Sequence, residues 1–291
     1  GGQAGTSSLI RNYPGFTRGV SGNKLAFSMF HQAWSFGASF RFIRSATGLR
    51  PTPEALEVDL SDGTTVRSRT VIVATGVEYR RLDSPELEQC LGRGVYYGAA
   101  VSEARAMTGK DVYVVGGGNS AGQAVVFLGR FAHQATLLVR SHSLSQSMSE
   151  YLIREIETTP NLSILYNTEV VGGGGEDQLD HVIVRHRDSD QIEERKTDGL
   201  FVLIGSEPHT EWLADVVERD EWGFIVVGRD VDYSKFPLDR YPYSMETSLP
   251  GVFAAGDIRR GAVKRVASAV GAGAIAIQQI HQYLSELHDR A

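Results

Sequence analysis

The chain has 291 residues, which at roughly 150 residues per domain suggests about two domains. Hydrophobic residues make up 42% and charged residues 22%, so disorder is excluded as the main state. A formal net charge of −6 gives no electrostatic basis for binding nucleic acid or an anionic membrane. A single cysteine, Cys90, excludes an intramolecular disulfide, a cysteine-rich zinc site and a redox-active cysteine pair within the chain.

The first part of the chain predicts a helix, a hairpin and a buried strand. Apolar residues recur on one helical face over 22–40, and alternation on either side of 61–63 predicts strands over 54–60 and 64–69. The short apolar run 71–74 ends at Thr75 and Gly76, which is typical of a strand buried on both faces of a parallel sheet.

The middle of the chain predicts a βαβ unit with further strands. A strand over 111–115, a glycine turn, a helix over about 120–132 and a strand over 135–139 follow one another within about 30 residues. Later elements are a helix over 146–157, a meander of three segments over 162–171, 179–187 and 191–196, buried strands over 200–204 and 251–255, and a helix over about 264–287.

The turn after strand 111–115 fits the pattern G-x-G-x-x-A of a dinucleotide-binding site. Gly116 permits the tight turn, Gly118 lets a pyrophosphate approach the backbone, and Ala121 lets the helix pack closely. The first helical residues, Asn119 and Ser120, would offer free N–H groups to the phosphates. The alternative is a glycine-rich turn with a structural role only.

The end of the following strand indicates which nucleotide binds. NAD-binding sites place a carboxylate there, whereas this chain has Arg140 followed by Ser141, and no carboxylate until Glu150. A guanidinium suits a 2′-phosphate, so the sequence favours NADP over NAD, with a solvated strand end as the alternative reading of Arg140.

A second candidate site follows strand 251–255. Gly256 and Asp257 end this strand, and a helix rich in small residues begins near Lys264. In isolation the pair could equally be a strand-ending turn with an aspartate cap. Small-residue turns after apolar strands also occur at 74–76 and at Gly205, which suggests two related nucleotide-binding domains, one inserted into the other.

The motifs described above occur in the same order in a known family. The chain resembles the thioredoxin reductase-like branch of the FAD- and NAD(P)-dependent pyridine nucleotide-disulfide oxidoreductases. The matching pieces are the opening 1–3, 12–15, 74–76, the Gly116 fingerprint, Gly205 with Pro208 and Thr210, and 256–257. The resemblance implies an α/β fold of two Rossmann-like three-layer domains. The FAD domain would span 1–108 plus 207–291, and the inserted NAD(P)H domain would span 109–206.

The resemblance also implies the residues that bind each cofactor. Asp257 would bond the ribityl hydroxyls of FAD, and the helix after Lys264 would point its N-terminus at the flavin pyrimidine edge. The full FAD set would be Gly2, Gln3, Asn12, Ala74, Thr75, Gly76, Gly256, Asp257, Lys264, Arg265 and Val266. The NADPH set would be Gly116, Gly118, Asn119, Ser120, Ala121, Arg140, Ser141, Ser145 and Gly205.

Three departures from the family pattern qualify these expectations. The positions of its Cys-x-x-Cys pair hold Gly98 and Val101, followed by Ser102, so no catalytic side chain is expected and the chain resembles a subgroup without the pair. Of the three arginines of the NADP-phosphate motif only Arg140 is present, with Ser141 and Ser145 at the others. The family's first strand and glycine turn would precede Gly1, so the chain is expected to be N-terminally truncated by about one βαβ unit.

The resulting hypothesis is an NADPH-dependent flavoprotein reductase that passes hydride from NADPH to FAD and then to a carrier protein, a quinone-like molecule or oxygen. The alternative is a non-catalytic FAD- and NADP-binding redox sensor, or an inactive fragment. The resemblance implies a homodimer, and one cysteine without a targeting segment indicates the cytoplasm. The eight histidines lack metal-ligand spacing, so no metal is expected, nor any membrane or nucleic-acid partner.

Overall fold

A computed structural model describes residues 2–7, 10, 12–97 and 101–290, with only the backbone described at Thr6, Val101, Ser102, Asp289 and Arg290. The chain forms two compact units. The outer unit combines Gly1–Glu78 with Glu207–Ala291, and the inserted unit is Tyr79–Ser206.

The strands and helices of the two units follow one another along the chain, with those of the inserted unit in the middle. They run, in order, α1 Gly2–Thr6, α2 Gly22–Ser35, β1 Ala46–Pro51, β2 Leu56–Leu60, β3 Thr65–Ser68, β4 Val71–Val73, β5 Val77–Tyr79, α3 Pro85–Gln89, β6 Val95–Tyr97, α4 Val101–Ala104, β7 Asp111–Val115, α5 Asn119–Gly129, β8 Gln134–Leu138, α6 Glu150–Thr158, β9 Leu162–Leu165, β10 Thr168–Gly174, β11 His181–His186, β12 Gln191–Lys196, β13 Gly199–Val202, β14 Ser206–Pro208, β15 Val252–Ala254 and α7 Val266–Arg290. Short 3-10 turns lie between several of them.

The inserted unit is built on a five-stranded parallel sheet in the order β6-β13-β7-β8-β9. Alternate residues of its strands face opposite sides, as the two-residue period of a strand requires. Val112 and Val114 join the apolar core that contains α5 and α6, whereas Val115 joins the core that contains α3 and the meander β10-β11-β12. Helices, parallel sheet and antiparallel meander therefore form three layers, as the sequence predicts.

The boundary of the inserted unit differs from the predicted one. Residues 79–108 group with the inserted unit and not with the outer one, because β6 pairs in parallel with β13 and Cys90 is buried in the core beneath that sheet. The sequence did not predict β6, since this strand is only three residues long and closely follows Gly92 and Gly94.

The predicted strand segment 162–171 is in fact two strands in two different sheets. β9 completes the parallel sheet beside β8, and β10 opens the meander beside β11. Asn167 separates them with a positive φ of 52°, a conformation that asparagine tolerates better than most residues.

The outer unit contains an antiparallel sheet, β1-β2-β3, and a parallel pair, β4 and β15. β5 pairs with β14. Buried side chains such as Leu49, Val73 and Val252 form the core between the two sheets. α7 packs over β15, where Phe253, Ala276 and Tyr283 meet in a smaller apolar cluster.

Helix α2 is shorter and more exposed than its apolar face suggests. It ends at Ser35 and not near residue 40, and Leu25 is buried against Ile10 and Val20. Trp34 on the predicted core face is 62% exposed, because only the first turns of the helix pack against the N-terminal segment. Among the residues that the structure describes, no helix has both the length and the apolar content needed to span a membrane.

Candidate functional site

In the inserted unit, three strand ends meet around the glycine fingerprint. The Gly116 N–H donates to the carbonyl oxygen of Leu138, 3.1 Å away, and the Leu203 N–H donates to that of Val115, 2.8 Å away. A Cβ atom at Gly116 would lie 2.4 Å from the Leu203 carbonyl oxygen and 2.9 Å from the Ala121 Cβ atom. Glycine and alanine at these two positions therefore let α5 and β13 approach the end of β7.

The N-terminus of α5 is open toward this edge of the sheet. Gly118 is the N-cap and carries no capping side chain, and its carbonyl accepts from the N–H groups of Ala121 and Gly122 at 3.0 and 3.1 Å. The N–H groups of Asn119 and Ser120 have no partner within the helix, as in any first turn. A Cβ atom at Gly118 would find its nearest neighbour, the Ser147 carbonyl oxygen, 3.9 Å away, so there is room beside the first N–H groups of the helix.

A serine-rich loop after β8 packs against the fingerprint. The Ser147 hydroxyl donates to the Gly117 carbonyl at 2.7 Å, and the Ser149 N–H donates to the Asn119 side-chain oxygen at 2.7 Å. The Asn119 side chain thus holds this loop, a role that the fingerprint pattern did not suggest. Ser145 and Arg140 are exposed in the same region, and the Ser141 hydroxyl donates to the Ser143 carbonyl at 2.8 Å.

Gly205 lies beyond the end of β13, beside the fingerprint. It has a φ of +96°, and a Cβ atom there would meet no atom within 4 Å. β13 pairs with β7, which sets Val202 opposite Val115. The structure therefore brings the predicted NADPH residues of β7, β8 and β13 to one edge of the parallel sheet, which is where nucleotides bind in such sheets.

In the outer unit, β4 and β15 bring the second predicted site together. Ala254 lies opposite Val73 in parallel pairing, so Ala74, Thr75 and Gly76 leave the sheet at the same edge as Gly256 and Asp257. The Thr75 hydroxyl donates to the His209 carbonyl at 2.8 Å, and the His209 N–H donates to the Gly76 carbonyl at 3.2 Å. These bonds hold the turn after β4.

The start of α7 packs on this strand edge. Gly256 has a φ of +78°, and a Cβ atom there would lie 3.3 Å from the Ala269 Cβ atom, so glycine lets the first turn of α7 come close. Lys264 precedes this turn and lies over the ring of Phe224, 4.8 Å from its centroid. Val266, the first residue of α7, packs against the apolar cluster of Ile10 and Val20.

Asp257 lies in a partly buried environment that leaves its carboxylate available to a ligand. Within the described part of the chain no group donates a hydrogen bond to its carboxylate. Burial raises the pKa of Asp257, and the positive charge of Lys264 opposes that rise. Burial likewise lowers the pKa of Lys264. A half-buried carboxylate that accepts no hydrogen bond within the described part of the chain can accept from the hydroxyl groups of a ribityl chain.

The N-terminal segment is anchored near the same helix. A Cβ atom at Gly22 would lie 1.7 Å from the Ala4 carbonyl oxygen, so α1 can only rest on α2 because residue 22 is glycine. Ile10 and Val20 exchange backbone hydrogen bonds of 2.7 and 2.9 Å and pack on Val266. Gly2, Gln3 and Asn12 therefore belong to a segment that packs against the start of α7.

Two arginines near these sites were missed by the sequence reasoning. Arg259 has a buried Nε atom with no partner among the described residues, and burial lowers its pKa. Arg187 donates from Nη1 to the carbonyl oxygen of Arg140 at 2.9 Å. Neither lies in a recognisable motif, so only the folded arrangement reveals them.

The positions of the family's cysteine pair give no further geometry. Gly98 lies outside the described residues, and of Val101 and Ser102 only the backbone is described, in α4. Cys90 is 3% exposed and follows α3. In the part of the chain that the structure covers, no three His, Cys, Asp or Glu side chains are grouped to hold a metal ion.

Comparison with known proteins identifies the family. The sequence matches the family described as pyridine nucleotide-disulphide oxidoreductase over residues 2–273. It is 30% identical over 284 residues to a 34.2 kDa protein in the rubredoxin operon of Clostridium pasteurianum, covering 98% of this chain and 86% of that protein. It is 31% identical over 291 residues to a thioredoxin reductase of Streptomyces clavuligerus, covering 99% and 84%.

Solved structures agree with this. The crystal structure of thioredoxin reductase from Streptococcus pyogenes MGAS5005 superposes with a TM-score of 0.83 at 28% identity, covering 98% of this chain and 87% of that one. Because the family match spans most of the chain and relatives of 30% identity or more align over nearly all of it, the chain belongs to the pyridine nucleotide-disulphide oxidoreductase family, in the thioredoxin reductase-like branch of oxidoreductases that use FAD and NADPH.

Proposed function

We propose that the chain is an NADPH-dependent flavoprotein oxidoreductase whose acceptor is reached without a Cys-x-x-Cys dithiol. The observation that carries this is the open N-terminus of α5 at Gly118, at the edge where β7, β8 and β13 end. In this proposal the inserted unit binds NADPH and the outer unit binds FAD. When bound, FAD would supply the redox chemistry that links hydride donation by NADPH to two-electron reduction of the acceptor.

The chain's own groups bind and orient the NADPH in this proposal. The first N–H groups of α5 and the helix dipole bind the pyrophosphate, and the lack of a side chain at Gly118 leaves room for it. Arg140, with Ser141 and Ser145, receives the 2′-phosphate, and Gly205 borders the nicotinamide end.

The outer unit binds the flavin. Asp257 accepts hydrogen bonds from ribityl hydroxyls, which supplies the donors that its carboxylate lacks within the described part of the chain. The N-terminus of α7 at Val266 stabilises negative charge at the flavin pyrimidine edge. The remaining members of the set are Gly2, Gln3, Asn12, Ala74, Thr75, Gly76, Gly256, Lys264 and Arg265.

The acceptor is a carrier protein, a quinone-like molecule or oxygen. Thiol–disulfide exchange needs two sulfur atoms, and the one cysteine of the chain, Cys90, is buried. The proposal includes a homodimer, as the family resemblance implies. It also includes a cytoplasmic location, because a chain with one cysteine forms no intramolecular disulfide and therefore needs no oxidising compartment.

The test is NADPH consumption by the full chain, purified and supplied with FAD, with ferricyanide or a quinone as acceptor. We expect turnover that disappears in Asp257→Ala, which no longer retains flavin after desalting. Asp239→Ala is the matched control, because this aspartate is exposed in the same unit. Flavin-loaded protein that binds NADPH but consumes none would contradict the enzyme proposal and support the redox sensor.

A further inference from the structure

The inserted unit places a second arginine against the candidate 2′-phosphate site. Arg187 is 47 residues from Arg140 in sequence, yet its Nη1 atom donates to the Arg140 carbonyl oxygen at 2.9 Å. The guanidinium of Arg187 therefore lies where the Arg140 side chain leaves the backbone at the end of β8. The family motif has further arginines just after this point, where this chain has serines.

Backbone hydrogen bonds fix this arrangement. The Arg187 N–H donates to the Asn167 carbonyl at 2.7 Å, and the Asn167 N–H donates to the Ser141 carbonyl at 3.1 Å. The Thr168 N–H donates to the Val139 carbonyl at 3.0 Å. The edge of the meander where β10 begins and β11 ends is thus joined through Asn167 to the loop that follows β8, and these backbone bonds set the position of Arg187.

The Arg187 guanidinium has donors to spare for an anion. A guanidinium carries five N–H donors, and one of them serves the Arg140 carbonyl. Its Nε atom forms an ion pair with Glu169 at 3.8 Å, which is beyond hydrogen-bond length, and Glu169 accepts a hydrogen bond from Arg185 at 2.9 Å. Nη2 has no partner among the described residues, and the side chain is 51% exposed.

We propose that Arg187 is a specificity-determining residue that binds the 2′-phosphate of NADPH together with Arg140. This rests on the proposed function, since it assumes that the nucleotide occupies the edge beside Gly118. Arg187, just after β11, supplies a second cation in place of the arginines that Ser141 and Ser145 replace. Two guanidinium groups can hold a phosphate with several charge-assisted hydrogen bonds, whereas a nucleotide with a free 2′-hydroxyl gains little from Arg187.

The experiment compares two nucleotides that differ only in the 2′-phosphate. Calorimetric titration of the full chain with adenosine 2′,5′-bisphosphate and with adenosine 5′-monophosphate gives an affinity ratio for each variant. We expect Arg187→Gln to reduce this ratio about tenfold by weakening the bisphosphate alone. Arg187→Lys, which keeps the charge but not the forked donors, is expected to restore part of it.

The control is Arg130→Gln. Arg130 is exposed at the opposite end of α5 from Gly118, so its loss changes the net charge equally without touching the site. The proposal is overturned if Arg187→Gln leaves the ratio unchanged or weakens both nucleotides equally, with thermal unfolding checking that the variant is folded. Wild-type protein that binds neither nucleotide, or both equally, would refute the NADPH proposal itself, which separates the two failures.

Discussion

At the scale of single residues, the fingerprint shows how far a short pattern reaches. The sequence predicted a tight turn at Gly116 and close helix packing at Ala121. In the structure a Cβ atom at Gly116 would lie 2.4 Å from the Leu203 carbonyl oxygen and 2.9 Å from the Ala121 Cβ atom. The pattern could not predict Arg187 or the bond between Asn119 and Ser149, since these contacts join segments 47 and 30 residues apart. Which residues touch cofactor stays a prediction.

Replacing Gly116 should therefore damage the fold itself. We expect Gly116→Ala to lower the free energy of unfolding by about 1–3 kcal/mol, because the added methyl group overpacks against the Leu203 carbonyl. Urea unfolding followed by circular dichroism measures this.

The control is Gly117→Ala, whose added methyl group would find its nearest neighbours at an ordinary 3.7 Å. It should change the unfolding free energy by less than about 0.5 kcal/mol. Equal effects of the two substitutions would show that the close approach at Gly116 is not what the fold requires.

At the scale of elements, apolar runs predicted buried strands well and mixed segments poorly. The runs around 71–74, 111–115, 135–139 and 200–204 are all strands of parallel sheets, which are hydrophobic because both faces are covered. The prediction of one strand over 162–171 was wrong because strands of two different sheets follow each other there with one turn between them. The end of α2 was overestimated because its aromatic residues continue the apolar pattern past Ser35.

A buried ion pair between Arg240 and Glu246 lies in the segment that precedes β15 in the outer unit. Glu246 is 0% exposed and accepts from Arg240 through Nη1 at 2.7 Å and Nη2 at 3.1 Å. The backbone N–H groups of Tyr243 and Gly251 donate to the same carboxylate at 3.0 and 3.2 Å. Arg240 also donates to Glu286 of α7 at 3.1 Å. Nothing in the sequence pattern marks this pair, because its burial depends on the packing of three separate segments.

Breaking this pair from one side should be costly. We expect Arg240→Met to lower the free energy of unfolding by about 3–5 kcal/mol, because the Glu246 carboxylate stays buried without its partner. Urea unfolding followed by tryptophan fluorescence measures this, since all three tryptophans, Trp34, Trp212 and Trp222, lie in the outer unit.

Two further variants check the cause. Adding Glu246→Leu to Arg240→Met should recover much of the loss, because the buried charge is then gone. Arg67→Met removes exposed ion pairs only and should cost no more than about 1 kcal/mol. A double variant no more stable than Arg240→Met would mean that packing of the arginine, and not the unpaired charge, causes the loss.

At the scale of the whole molecule, the nested order of two α/β units could be predicted from the sequence, but their limits could not. The parallel strands and the fingerprint indicated the inserted unit, and the structure extends it back to Tyr79 because β6 joins its sheet. Family membership agrees with this architecture. The assignment of FAD to the outer unit and NADPH to the inserted one depends on local geometry at Asp257 and Gly118.

The most direct test of the proposed function is an anaerobic titration with NADPH of the full chain supplied with FAD, in which the visible absorbance of the flavin is recorded. We expect the protein to retain oxidised flavin after desalting, and its absorbance to bleach as NADPH is added, as the proposed function requires. Flavin that is retained but keeps its absorbance under excess NADPH, or a desalted protein without any flavin spectrum, would contradict the proposed oxidoreductase.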